Sequence, residues 1–76
     1  MPKLPRISGK EIIRTFEKLG YVQVRQHGSH VIMVKYFDDR KVGCAIPKHD
    51  TVAVGTLNGI LKQVHVSTEE FISALK

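Results

Sequence analysis

Acids, cysteines and long apolar runs are all scarce in this chain. Its 76 residues hold 7 Asp and Glu against 12 Lys and Arg, and the acids are scattered, which argues against a hydrolase built on paired carboxylates. The lone Cys44 has no partner for an internal disulfide, so nothing calls for an oxidising compartment, and its apolar surroundings suit a small buried hydrophobe. No apolar run reaches bilayer-spanning length. The opening Met1-Pro2-Lys3-Leu4-Pro5-Arg6 also lacks the apolar segment of a signal peptide. A soluble, cytoplasmic protein without membrane contact is expected. Missing too are a His-x-x-x-His or His/Cys cluster with zinc spacing, a Gly-rich phosphate loop and a serine nucleophile elbow. Without repeats, low-complexity tracts or linkers, residues 1–76 are expected to form one domain, which at this length buries only about 60% of the surface exposed when unfolded.

What is present begins with charge. A formal net charge of +5 draws in polyanions, and within a cell these are nucleic acids or an acidic protein. The basic residues form no block, so the sequence does not gather them on one face.

Local signals then order the chain. Ser8 stands three residues before Glu11, the spacing of a capping box, so a helix begins at about Gly9. Ile12, Ile13, Phe16 and Leu19 recur at helical spacing opposite Lys10, Arg14, Glu17 and Lys18, and Gly20 supplies the C-terminal stop. The period changes to two over Tyr21–Gln26, whose alternating valines predict a strand with one buried face. His27-Gly28-Ser29 reads as a turn, His30–Tyr36 as a central strand apolar on both parities, Phe37–Arg40 as a second turn and Lys41–Ile46 as a third strand closed by Pro47. Residues 47–55 read as a loop. Leu57, Ile60, Leu61 and Val64 predict a helix from about Thr56 to Val64, and Ser67 with Glu70 caps a last short helix carrying Phe71, Ile72 and Leu75. The expected class is α+β in the order α-β-β-β-α-α: a three-stranded antiparallel sheet with helices on one face, the layout of double-stranded-RNA-binding domains.

The histidines are the side chains that ordinarily titrate near neutral pH. His65 follows a helix, where a cation complements the C-terminal dipole. His27 lies in the turn and is a possible accessory group beside His30. His49 sits in a loop between Lys48 and Asp50, a setting that suits plain solvent exposure and, because loops carry function disproportionately, also a site. His30 opens a strand, which fixes its direction, while Gly28 and Ser29 leave room for a polymer backbone. Alternation puts His30 on one face with Ile32, Val34 and Tyr36. Lys35, on the other parity with Val31 and Met33, suits solvent, so His30 is expected at the rim of the helix-covered face.

These segments together resemble the HicA-type toxins of bacterial and archaeal toxin–antitoxin modules, small ribonucleases that cut mRNA. The resemblance runs through the Ser-Gly-Lys-Glu helix start, Leu19-Gly20-Tyr21, Gln26-His27-Gly28-Ser29-His30, Ile46-Pro47-Lys48-His49, Gly55-Thr56-Leu57, Ile60-Leu61-Lys62-Gln63 and the Ser67–Phe71 segment. It implies a double-stranded-RNA-binding-like fold, no metal or other cofactor, and silencing by a HicB-type antitoxin. The histidine of the family's Gly-Ser-His motif, taken there as catalytic, falls on His30, and its Pro-x-His element on Pro47 and His49. The implied chemistry is general acid–base cleavage of an RNA phosphodiester. Lys35, Lys48 or Arg25 would offset the charge on phosphorus, and the amides of Gly28 and Ser29 would hold a phosphate oxygen. The proton for the leaving 5′-oxygen is left open among His27, His49, water and no group at all. The alternatives are a non-catalytic RNA-binding module on the same fold and a plain protein-interaction domain.

Overall fold

The structure, a computed structural model, describes residues 3–76. Of the lead-in before the first helix, Met1 and Pro2 lie outside the described residues. The elements follow the expected order: α1 (Gly9–Lys18), β1 (Val22–His27), β2 (His30–Tyr36), β3 (Lys41–Pro47), α2 (Val54–Gln63) and α3 (Thr68–Leu75). The strands form one antiparallel sheet in the order β1-β2-β3. With helices on one side of an open sheet, the α+β class holds, and the layering fits a double-stranded-RNA-binding-like arrangement.

Local chemistry fixes the helix ends. Both capping boxes form: the Glu11 amide donates to Ser8 Oγ at 3.1 Å and the Glu70 amide to Ser67 Oγ at 3.0 Å, each glutamate reaching back to the capping residue. At the end of α1 the Gly20 amide donates to the Glu17 carbonyl and the Tyr21 amide to that of Phe16, with Gly20 at φ 98°. This pair of bonds is the Schellman motif. The end of α2 repeats it with His65 at φ 58°, its amide donating to Lys62 and that of Val66 to Leu61. Between β3 and α2 the chain is not a free loop. Val52 forms a bridge with Ile7, its amide donating to the Ile7 carbonyl at 2.8 Å, and the helix starts at Val54, two residues ahead of the Thr56 expected from the apolar spacing.

The core lies between the helices and the inner face of the sheet, around Ile12, Phe16, Met33, Ile46, Leu57, Leu61 and Phe71. Phe16 and Phe71 meet edge to face at 5.9 Å and join α3 to α1. Helices α1 and α2 pack over β3. That placement corrects two expectations. The valines of β1 are not buried: Val22 and Val24 are 49% and 44% exposed, because the helices sit over the other side of the sheet and Val24 falls in a bulge between Gln23 and Arg25. The face assigned to His30 is also reversed. Val31, Met33 and their β3 partners Ile46 and Cys44 point into the core, which puts His30, Ile32, Val34 and Tyr36 on the open face. The lysine that suggests otherwise lies at the rim of the inner face, its stem against Gly20 and its ammonium 5.9 Å from the Tyr21 ring and 5.4 Å from that of Phe37. A long aliphatic stem can cover apolar surface while its charge stays wet, so Lys35 is a poor marker of the solvent side.

Candidate functional site

The tip of the first hairpin is a two-residue loop, Gly28-Ser29, with His27 closing β1 and paired directly with His30. His27 therefore belongs to the strand, one residue short of the expected turn. Gly28 has φ 58°, while Ser29 stays at negative φ, the pattern of a type II′ turn, which asks for glycine at its first central position. A Cβ at Gly28 would meet nothing within 4 Å, so backbone conformation alone selects the residue. The Gln26 side-chain amide braces the turn by donating to the Gly28 carbonyl at 3.0 Å.

Two contacts from distant parts of the chain hold this tip. The Lys48 amide donates to the Ser29 carbonyl at 2.6 Å, fastening the exit of β3 to the hairpin loop. The Gly9 amide donates to the His49 carbonyl at 2.9 Å, fastening the same exit to the first turn of α1. The second contact requires glycine: a Cβ there would lie 2.8 Å from the Lys48 Cα and closer still to the Pro47 carbonyl oxygen.

The result is a pair of imidazoles. His30, opposite Pro47 in the β2–β3 register, and His49, two residues further on, bring their ring centroids to 6.4 Å at an interplanar angle of 70°. Both are exposed, as are His27, Gly28, Ser29 and Lys48. Arg25 pairs with Ile32 and so lies on the same open face, two residues along β1 from His27. Lys35 is not part of the cluster. Five residues along β2 at about 3.4 Å each place it roughly 17 Å from His30, beyond reach of a phosphate held there. His65 is spent on the α2 cap, remote in sequence and structural role. Among the described residues no three His, Cys, Asp or Glu side chains gather as a metal-binding set.

Cys44 is buried in the core beside its register partner Met33, and burial pushes its thiol up to about 11. Such a thiol carries almost no thiolate at neutral pH and is a packing residue, not a nucleophile. Burial also raises the Tyr21 phenol, with the nearby Cys44 and Glu70 adding to the effect.

Three residues that frame this region stand out only in the structure. In sequence Gly9 marks no more than a helix start, although its meaning is the close approach of α1 to Pro47 and Lys48. Lys10 and Arg14 read as a solvated face, yet they line grooves that reach Lys48 and His49. Their spacing of one helical turn beyond a Ser8 cap is the available signal.

Among the described residues no helix is long and apolar enough to cross a membrane. No curated protein and no solved structure matches the chain. The family model described as HicA toxin of bacterial toxin-antitoxin matches residues 9–66, from the glycine that docks on Lys48 to the valine that completes the α2 cap. That match takes in the hairpin tip, the His30–His49 pair and the core beneath them, so the chain belongs to the HicA toxin family.

Proposed function

We propose that this toxin is an endoribonuclease that cuts mRNA by general acid–base catalysis, without a metal, and that a HicB-type antitoxin inhibits it. Membership of a toxin–antitoxin family implies a cognate antitoxin. The cytoplasm, where mRNA is found, is the site of action. The observation that carries the reading is the exposed pair His30 and His49, 6.4 Å apart between ring centroids at the open end of the sheet.

Two imidazoles at that separation can flank one phosphodiester. His30 takes the proton of a ribose 2′-hydroxyl, whose oxygen bonds to the adjacent phosphorus. As the P–O5′ bond breaks, His49 in its imidazolium form gives a proton to the departing 5′-oxygen. The products are a 2′,3′-cyclic phosphate and a 5′-hydroxyl. His27, the register partner of His30, is the other group placed to assist. Lys48 and Arg25 offset the charge gathering on the phosphoryl oxygens, and the amides at Gly28 and Ser29 offer donors to one of them. A strand fixes His30 and a backbone hydrogen bond fixes His49, which is the kind of support a site needs to hold geometry. DNA, lacking the 2′-hydroxyl, is spared.

The test is cleavage of RNA by purified protein in the presence of a chelator, beside the His30→Ala form. The expected result is scission by the parent and a loss of about 10² to 10⁴ in rate for the variant. The parent should show a bell-shaped dependence of kcat/KM on pH, since one imidazole acts neutral and the other protonated. A folded His30→Ala protein that cuts at the parental rate, or a parent that cuts only when metal is restored, refutes the mechanism.

A further inference from the structure

A second feature borders the imidazole pair. Between α1 and β1 runs a groove lined by Lys10, Ile13, Arg14, Glu17, Gln23, Val31 and Lys48. A neighbouring groove is lined by Ser8, Lys10, Lys48, His49 and Asp50. The two share Lys10 and Lys48 and so adjoin, together making a channel from His49 along the first helix. Its charges are ordered, with Asp50 at the histidine end, then Lys48, Lys10 and Arg14, and Glu17 at the far end.

The three central cations are available. Among the described residues the one ion pair is Arg40 with Asp39 at the opposite end of the sheet. Glu17 is engaged by the Gln23 amide at 3.5 Å. Lys10 and Arg14 stand four residues apart on a helix, about 6 Å along its axis, a distance of the order of one nucleotide step along a sugar–phosphate backbone. The floor is closed by Ile13 and Val31, which the core holds almost fully buried, so what the channel presents to a strand is its cations. The Lys48 amide is bonded to the hairpin loop, so a strand lying in the channel is delivered to the Gly28-Ser29 tip.

We propose that this channel is a binding track for the RNA strand flanking the cleaved bond, with Lys10 and Arg14 holding two successive phosphates and Lys48 the one nearest the histidines. The track rests on the ribonuclease reading for its ligand. Single-stranded RNA is the occupant because a channel on one side of a helix, ending in acids, engages a short stretch of one backbone.

Binding separates the track from catalysis. In the His30→Ala background, affinity for a single-stranded RNA oligonucleotide is measured against salt, with and without Lys10→Gln and Arg14→Gln together. Each phosphate that a cation ceases to neutralise lowers the slope of log K against log salt by about 0.7 for a single strand, so between 50 and 200 mM salt the parent should lose about sevenfold more affinity than the double variant. Lys62→Gln, on the exposed side of α2, should leave the slope unchanged. Equal slopes for parent and double variant overturn the track, as does an equal drop in the Lys62→Gln control. If binding shows the expected loss while the unmutated toxin fails to cut RNA, the track stands and the ribonuclease reading falls. If the toxin cuts RNA but the slope does not move, the reverse holds.

Discussion

Replacing Gly9 by alanine should both destabilise the protein and disarm the site, against the ordinary preference of helices for alanine. In an exposed helix interior the change would favour folding by up to about 1 kcal/mol. Here the new methyl meets backbone: 2.8 Å from the Lys48 Cα, and nearer still to the Pro47 carbonyl oxygen. Neither neighbour is the yielding tip of a side chain. Relief requires α1 and the end of β3 to part by about 1 Å, which costs roughly 1–3 kcal/mol as overpacking does elsewhere, plus about 1 kcal/mol for the Gly9–His49 hydrogen bond. Against the propensity gain the net loss is about 2 kcal/mol. For a chain of this length with a total stability of order 4–11 kcal/mol, that lowers Tm by about 8–16 °C. Because His49 is held by the same hydrogen bond, its ring shifts relative to His30, and a misplacement of about 1 Å can cost roughly 100-fold in rate. Thermal unfolding and RNA cleavage of Gly9→Ala measure both effects. A variant as stable as the parent would show that α1 does not bear on the end of β3 as described. A destabilised variant with full activity, assayed well below its Tm, would show that the contact does not position His49.

Two further predictions concern the scaffold. His65→Gly should stabilise the protein by about 1 kcal/mol in urea denaturation, because a non-glycine residue at φ 58° bears a left-handed conformation costing about 1–2 kcal/mol, partly returned by the entropy of glycine in the unfolded chain; a less stable variant refutes this account of the cap. Cys44 should make stability fall at alkaline pH. Its folded-state value of about 11 lies above the ordinary 9.0, so the protonated thiol is the form the core accepts, and its contribution is complete below pH 9 and lost as pH rises toward 11. The loss approaches about 2–3 kcal/mol, and Cys44→Ala should remove that part of the slope while leaving the larger, burial-driven share of the part due to the Tyr21 phenol; identical slopes in the two proteins refute it.

What is legible in the sequence is local. The capping boxes at Ser8 and Ser67 depend on residues three apart, the stop at Gly20 on a single residue type, and the hairpin on a short turn between runs of strand formers, so each can be read without knowing the fold, although His27, which reads as part of the turn, belongs to the strand. The choice of face for β2 cannot. Both parities are apolar, and the deciding residue, Lys35, has a stem long enough to lie at the edge of the covered side. The valines of β1 mislead for a related reason: alternation reveals that two faces differ but not which one the helices cover. The 6.4 Å approach of His30 and His49 depends on chain closure across segments far apart in sequence, as does the demand for glycine at position 9, and neither leaves a periodic trace. The family resemblance points to the two histidines, while the contacts that bring them together are visible only in three dimensions.

The bond between Gly9 and His49, with the bridge between Ile7 and Val52 beside it, also sets a schedule. During synthesis the first helix and the Gly28-Ser29 hairpin leave the ribosome before the segment that anchors them exists outside it. A nascent chain therefore displays His30 without its companion ring and with the start of α1 still unmoored. Only when residues 47–52 have emerged can the two imidazoles meet, so the pair is assembled later in synthesis than the hairpin that carries His30.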